Sequence, residues 1–386
     1  MKIAVVALLH HPVAEPFAGG MESHTWWLVK KLIARGHDVT LFASGDSDSN
    51  MGLAPCIETA LANHPRAQTL SGRQACNMSA YANVIKQICQ GEFDVVHNNA
   101  LHPLVLLSAA DLPVPMLTVL HTPPYPELAA AVRYATARNS PDHNSRNNSG
   151  RMAIAAVSKS LAAKWKPLTH AHVVYNGIEI DNWPYTGQVQ PKQALWYGRI
   201  VPEKAPHLAI QAALRAGYAI EVAGPIADIE YFTEQVTPLL SSPHANYKGH
   251  LSHDEIRVLL ARSSVFVNTP LWEEPYGFVY AEALASGTPI ATFDSGAASE
   301  ILTPRCGVVV QEKTVEALAE AIAIAAHLPR QNCRQRAESF CHIDSMVDGY
   351  EQLYQQLIHR QQQQNVQPEQ AVNVLDQGPL PMMDAA

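Results

Sequence analysis

Charge is scarce in this sequence. Asp, Glu, Lys and Arg make up 16% of its 386 residues, against roughly 25% in an average globular chain. Long apolar runs are missing too. Stretches such as Ile3–Leu9 fall far short of the roughly 20 residues that a membrane-spanning helix needs. The Met-Lys start with IAVVALL is followed at once by His10-His11-Pro12, so it reads as a buried first strand, not a signal peptide. Six cysteines (56, 76, 89, 306, 333, 341) form no CxxC pair and no zinc spacing. They read as reduced thiols of a cytoplasmic protein. No GxGxxG follows the first strand of either half, which disfavours a dinucleotide oxidoreductase. A net charge of −8 argues against a nucleic-acid binder.

What is present is apolar and regularly spaced. A hydrophobic fraction of 47% excludes a disordered chain, and the length predicts two domains. Residues 2–8 (KIAVVAL) form a continuous run of the kind found in strands covered on both faces. Met21, Thr25, Leu28, Leu32 and Ile33 then fall at helical spacing, Gly36 supplies a stop, and 38–43 (DVTLFA) reads as the next strand. Further strands are predicted at 93–97, 115–120 and 153–157, with helices at 74–90 and 159–166. Residues 124–150 end in RNSPDHNSRNNSGR, a loop composition. A second alternating series begins near 191, with strands at 195–200, 218–224, 245–249, 265–270 and 289–293 and helical patterns between them at 206–216, 227–240, 253–262, 278–286 and 314–327. Two such series, joined near 173–190, predict two doubly wound α/β domains. Residues 345–360 form a last amphipathic helix. Residues 361–386, opening on four Gln, read as a disordered tail.

Charge is also unevenly placed. Residues 1–170 hold 14 Lys/Arg and 11 Asp/Glu, a balance of +3, whereas 171–386 hold 13 and 24, a balance of −11. Within the acidic half, GRIVPEK places Arg199 and Lys204 between a predicted strand and a helix. Strand ends of open α/β sheets bind ligands, helix N-termini favour anions, and guanidinium and ammonium groups suit phosphate oxygens. The alternative is an exposed loop with ordinary surface charges. The run WEEPYGFVYAEALASG likewise follows a strand. It sets Glu274 in a loop, Glu282 on the helix beyond, and free backbone N–H groups around Gly277. Carboxylates so placed can accept from sugar and ribose hydroxyls. Taken alone, they could equally be a cap and a solvated face residue. Asp46-Ser47-Asp48 is a DxD, but it lies among turn formers and reads as a loop. His10-His11 follow the first strand and either point into a crevice at its end or are ordinary loop residues. His250 and His253 lack a third metal ligand nearby, and Trp26 and Trp27 read as packing.

GRIVPEK, YKGHLSHDEIRVLLARSSVFVNTP, the E-x7-E run from Glu274 to Glu282 and SGTPIATFDSGAASEIL occur in that order. The front half adds Gly19-Gly20-Met21-Glu22, LHTP (120–123), AVSKSLA (156–162) and VVYNGIE (173–179). This set resembles the family 4 glycosyltransferases. The resemblance implies the GT-B fold: two Rossmann-like domains facing across a cleft, with a C-terminal helix crossing back to the first. Residues 1–172 would be the acceptor-side domain, 173–190 the linker, 191–340 the donor-binding domain and 341–360 the crossover helix. It also implies roles. Arg199 and Lys204 would contact the donor diphosphate, Glu274 the sugar hydroxyls and Glu282 the ribose. Backbone at Gly277, Phe278 and Val279 would meet sugar and phosphate. Leu251 would lie near the nucleobase. The Gly19-Gly20 loop would close over the donor, and His121 would sit near the transferred sugar.

The expected activity is retaining transfer of a hexose from a nucleotide diphosphate sugar, a UDP-sugar foremost, to an acceptor hydroxyl. No metal or other cofactor is expected, since cations and a helix N-terminus would offset the phosphate charge. The expected partners are the donor and a saccharide, lipid-linked or small-molecule acceptor. Nucleic acid is excluded, and peripheral membrane contact stays open. A nucleotide-sugar 2-epimerase of the same fold is disfavoured by the GRxxxEK and E-x7-E pair, and a non-catalytic sugar-nucleotide sensor by the intact cations and both Glu.

Overall fold

The computed structural model describes residues 1–139 and 150–373, with side chains to Gln364. Two parallel sheets follow one another along the chain. The first holds β1 (Lys2–Val6), β2 (Asp38–Ser44), β3 (Leu53–Ile57), β4 (Val95–Asn98), β5 (Met116–Leu120), β6 (Met152–Ala156) and β7 (His172–Val173), in the order β3-β2-β1-β4-β5-β6-β7. The second holds β8 (Gln193–Tyr197), β9 (Ala219–Ala223), β10 (Ala245–Tyr247), β11 (Val265–Asn268), β12 (Ile290–Phe293) and β13 (Gly307–Val310), in the order β10-β9-β8-β11-β12-β13. Strand order reverses between β1 and β4 and again between β8 and β11. Such switch points open a crevice beyond the strand ends. Both GRIVPEK and the E-x7-E run start from the strands flanking the second one.

The central strands are apolar because helices cover both faces. Ile3 to Val6 are fully buried, as are Val265, Phe266 and Val267. The helix Gly20–Ala34 ends where Gly36 adopts φ +84°, a left-handed stop that suits glycine.

Three expectations change. The 124–150 segment contains a helix, Pro126–Arg138, which buries Leu128, Ala131, Val132 and Ala135. That i, i+3, i+4, i+7 spacing lies among five alanines and beside a polar run that masks it, and residues 140–149 of the same expectation lie outside the described residues. The presumed tail from 361 begins as a continuation of the last helix, which spans Ile343–Asn373. Its glutamines are good helix formers. Residues 374–386 lie outside the described residues. The predicted 227–240 helix divides into a short α turn (Ile229–Tyr231), a π segment (Phe232–Val236) and a 3-10 turn (Thr237–Ser241), with Pro238 in the last of these.

The last helix belongs to the core of the first sheet. Tyr350 and Tyr354 are fully buried in it. At the helix edge, Arg35 reaches Asp348 and Glu351, each at 2.6 Å, and Asp344 at 3.1 Å. Lys31 pairs with Glu179 at 2.5 Å. The two halves also touch directly. Glu300 accepts from the backbone N–H groups of Lys159 (2.8 Å) and Ser160 (2.7 Å) and from the Tyr175 hydroxyl (2.8 Å). Ser158 Oγ donates to the Pro275 carbonyl at 2.6 Å, and Lys164 pairs with Glu273 at 2.7 Å. No helix of the described residues is long and apolar enough to cross a membrane.

Candidate active site

The crevice between β8 and β11 is built by stitching two loops together. The indole N–H of Trp196 donates to Thr269 Oγ1 at 3.1 Å. That hydroxyl in turn faces the carbonyls of Lys204 (2.8 Å) and Ala205 (2.9 Å). Leu271 N–H donates to the Glu203 carbonyl at 2.8 Å. Ala205 takes φ +45°, an unusual value for a residue with a Cβ, immediately before the helix Pro206–Arg215. The turn is thus pinned from below, and Lys204 is carried on it.

Lys204 and Glu274 form an ion pair in the crevice, both largely buried. Trp272 frames them. Its ring lies 5.1 Å from the Lys204 ammonium, and its N–H donates to Glu274 Oε2 at 3.2 Å. The backbone of Glu274 is held by Ser295 Oγ (3.3 Å) and by Ala297 N–H, which donates to its carbonyl at 3.2 Å. Gly296, at φ +55°, lies so close that a Cβ there would come within 1.8 Å of the Glu274 carbonyl oxygen. Only glycine lets this loop support the carboxylate.

Gly277, at φ +85°, opens the helix Phe278–Ala285, and no side chain caps it. Uncapped first-turn N–H groups can donate to an anion. Val279 lies in that first turn. One turn on, Glu282 is half-buried and accepts from the Tyr197 hydroxyl. Burial pushes its carboxyl up, while the Tyr197 hydrogen bond and the nearby His253 and Arg257 oppose that shift. Arg199 is exposed and makes no hydrogen bond or ion pair among the described residues. Leu251 is half-buried, just before the helix His253–Arg262, whose start is held by a reciprocal Ser252–Glu255 capping box.

The first domain meets this crevice at Gly19-Gly20. A Cβ on Gly20 would stand 2.9 Å from the Phe278 ring, so the turn rests on the start of the helix Phe278–Ala285. Glu22 just behind it is buried, and burial raises its carboxyl. His121, at the end of β5, is buried edge-on against His24 with ring centroids 4.7 Å apart. Burial lowers all three central histidines, driving His121 down, His24 to about 4 and His97 to about 3. They are therefore neutral at physiological pH. The structure brings Lys204, Glu274, Gly277 and Glu282 to one crevice wall and Gly19-Gly20 against it.

The DxD is structural. Asp46 accepts from Ala60 N–H at 3.0 Å, and Asp48 accepts from Trp26 Nε1 at 2.9 Å and from Asn50 N–H at 3.0 Å. Sequence reasoning missed Tyr197, Trp272, Ser295, His24 and Asn99. Each acts through a contact made only after folding, and no spacing marks it. Trp272 alone carried a signal, since it opens the run WEEPYGFVYAEALASG two residues before Glu274.

Comparison with known proteins agrees with this architecture. Residues 18–182 match the family described as Glycosyltransferase Family 4, and residues 179–340 match Glycosyl transferases group 1. A glycogen synthase of Mycobacterium tuberculosis is 26% identical, over 92% of this chain and 94% of that protein. Among solved structures, sucrose-phosphate synthase from Thermosynechococcus elongatus superposes with TM-score 0.73 at 17% identity, covering 93% of this chain and 99% of that one. HepE of Anabaena, solved in complex with UDP-glucose, gives TM-score 0.65 at 17% identity, covering 92% and 99%. The two family matches meet at the junction between the two sheets, and the chain belongs to the family 4 glycosyltransferases, enzymes of the GT-B fold.

Proposed function

We propose that this glycosyltransferase moves a hexose from a UDP-sugar to an acceptor hydroxyl with retention at the anomeric carbon. The observation that carries the reading is the Lys204–Glu274 pair beside the uncapped helix start at Gly277. Without donor, the two charges neutralise each other in a largely buried place. With donor, the diphosphate takes the Lys204 ammonium and the sugar hydroxyls take the Glu274 carboxylate. The pair thus keeps both groups desolvated and positioned before substrate arrives. Arg199, exposed and unengaged at the mouth, adds the second cation. The N–H groups at Phe278 and Val279 meet phosphate and sugar, Glu282 holds the ribose diol in the position set by Tyr197, and Leu251 packs near the base. HepE, bound to UDP-glucose, supports a uridine donor in this fold.

In the step itself, the bond between the anomeric carbon and the diphosphate oxygen breaks. The electron pair leaves on the diphosphate, where Lys204 and Arg199 meet it. The acceptor oxygen attacks from the same face and loses its proton to the departing phosphate oxygen. Glu274 holds the sugar and does not attack. Cations and helix N–H groups take the place of a metal in this account.

Thermal-shift titration with UDP-, GDP- and ADP-sugars tests the donor. A shift confined to UDP-sugars is expected, and stabilisation by GDP- or ADP-sugars alone overturns that part. Transfer in excess EDTA is expected to continue. Loss in EDTA with recovery on adding a divalent ion overturns the metal-free account. Product anomeric configuration, read by NMR, tests retention.

A further inference from the structure

A hydrogen-bond chain runs from the last helix to His121 at the end of β5. Tyr354 lies fully buried, with its hydroxyl 2.6 Å from His97 Nδ1. His97 Nε2 is 3.1 Å from Asn99 Oδ1, and His121 Nε2 is 3.0 Å from the same oxygen. Asn99 Nδ2 donates to Thr25 Oγ1 on the helix Gly20–Ala34, at 3.3 Å. His97 and Asn99 are themselves fully buried, so the chain runs through protein and not through solvent.

The chemistry of the links fixes their direction. An amide oxygen only accepts, so both Nε2 atoms carry hydrogen. Burial disfavours the charged form of both rings, so each is neutral and each Nδ1 is a bare lone pair. His97 Nδ1 therefore accepts from the Tyr354 hydroxyl. His121 Nδ1 is left as an acceptor with no partner among the described residues. The opposite polarity would turn the Asn99 amide over, give both Nε2 atoms lone pairs and make His121 Nδ1 a donor. A phenol selects between the two, because its oxygen lone pair is drawn into the ring and its O–H donates better than its oxygen accepts.

We propose that Tyr354 is a positioning residue for sugar transfer: through His97 and Asn99 it fixes His121 as the Nε2–H tautomer, so that the cleft offers the transferred sugar a hydrogen-bond acceptor at Nδ1. The consequence for specificity is direct. A donor sugar with a hydroxyl at that point is favoured over one lacking it or carrying only an acceptor there. The inference rests on the placement of His121 near the transferred sugar that the family resemblance implies, but its first half concerns only the tautomer.

That half can be measured without any sugar. In ¹⁵N-histidine-labelled protein, long-range nitrogen–proton correlation spectra report the protonated nitrogen of each ring. The wild type is expected to show His121 and His97 as single Nε2–H tautomers. Tyr354→Phe, which keeps the ring and its packing, is expected to mix the tautomers of both. A wild-type His121 protonated on Nδ1, or a Tyr354→Phe protein with wild-type tautomers, overturns the proposal. The second half is read in kinetics with a series of deoxy-sugar donors. The wild type should discriminate against one member by about tenfold in kcat/KM, the size of one neutral hydrogen bond, and Tyr354→Phe should reduce that ratio. If the tautomers respond as expected but no deoxy donor is penalised, the placement of His121 against the sugar fails while the relay stands.

Discussion

At the scale of single residues, the Lys204–Glu274 pair makes the sharpest demand. Both partners are largely buried, so removing either leaves the other desolvated and alone. Lys204→Ala and Glu274→Ala should each lower kcat by about 10²–10³, the usual loss for one transition-state contact. The double variant should lose far less than the product of the two, because the groups act as a unit. Near-normal transfer in both single variants would remove the pair from the mechanism. The buried histidines make a second demand. His24 and His97 have folded values near 4 and 3, below an unfolded value of about 6.5. The unfolded chain therefore binds more protons between those limits, and stability must fall as pH drops below about 6.5. Melting curves from pH 7.5 to 4.5 should show this fall, with a shallower slope in His97→Gln. The Lys and both Glu residues were legible because each lies in a short motif that directly follows a predicted strand. Tyr197 and Asn99 were not. Both stand within strands or at their ends, where sequence reports only burial, and their partners arrive from 85 and 22 residues away.

At the scale of elements, continuous apolar strands and spaced helices were readable, since periodicity is a local property. Edge strands were harder: β10 was readable at 245–249, but β3, β7 and β13 were not. β3 (LAPCI) is only half-buried and lacks the dense β-branched run of the central strands. The helix Pro126–Arg138 was hidden by alanines, which any helix face accepts. The ionic seam along the last helix could not be read at all, because Arg35 meets acids more than 300 residues further on. Arg35 is three-quarters buried among three carboxylates with side-chain exposures of 19–58%. Arg35→Ala should cost about 1 kcal/mol in denaturant unfolding, discounted for solvent screening. Raising salt should narrow the gap between variant and wild type. A gap unchanged by salt would assign the loss to packing of the arginine stem.

At the scale of the whole molecule, the charge split acquires a structural meaning. Part of the acidic excess of 171–386 sits on Glu179, Asp344, Asp348 and Glu351, which face Lys31 and Arg35 of the basic front half. Domain totals therefore say little about the ligand, and the opposed signs serve partly to hold the halves together. Glu300 does so from the other side, at the start of the helix Lys159–Trp165. Glu300→Ala should let the domains part. Small-angle scattering of the free protein should show a larger radius of gyration, and donor KM should rise with kcat less affected. An unchanged radius would mean that the remaining contacts suffice.

The final helix has a consequence for how the protein is made. It supplies Tyr350 and Tyr354 to a core that begins at Ile3. During synthesis the first domain emerges early but cannot complete its own interior until residues beyond 343 have left the ribosome. Until then its β4–β6 face exposes apolar surface that the helix Ile343–Asn373 covers. Such a nascent chain is a natural client for chaperones, and the second domain must fold while the first is still waiting.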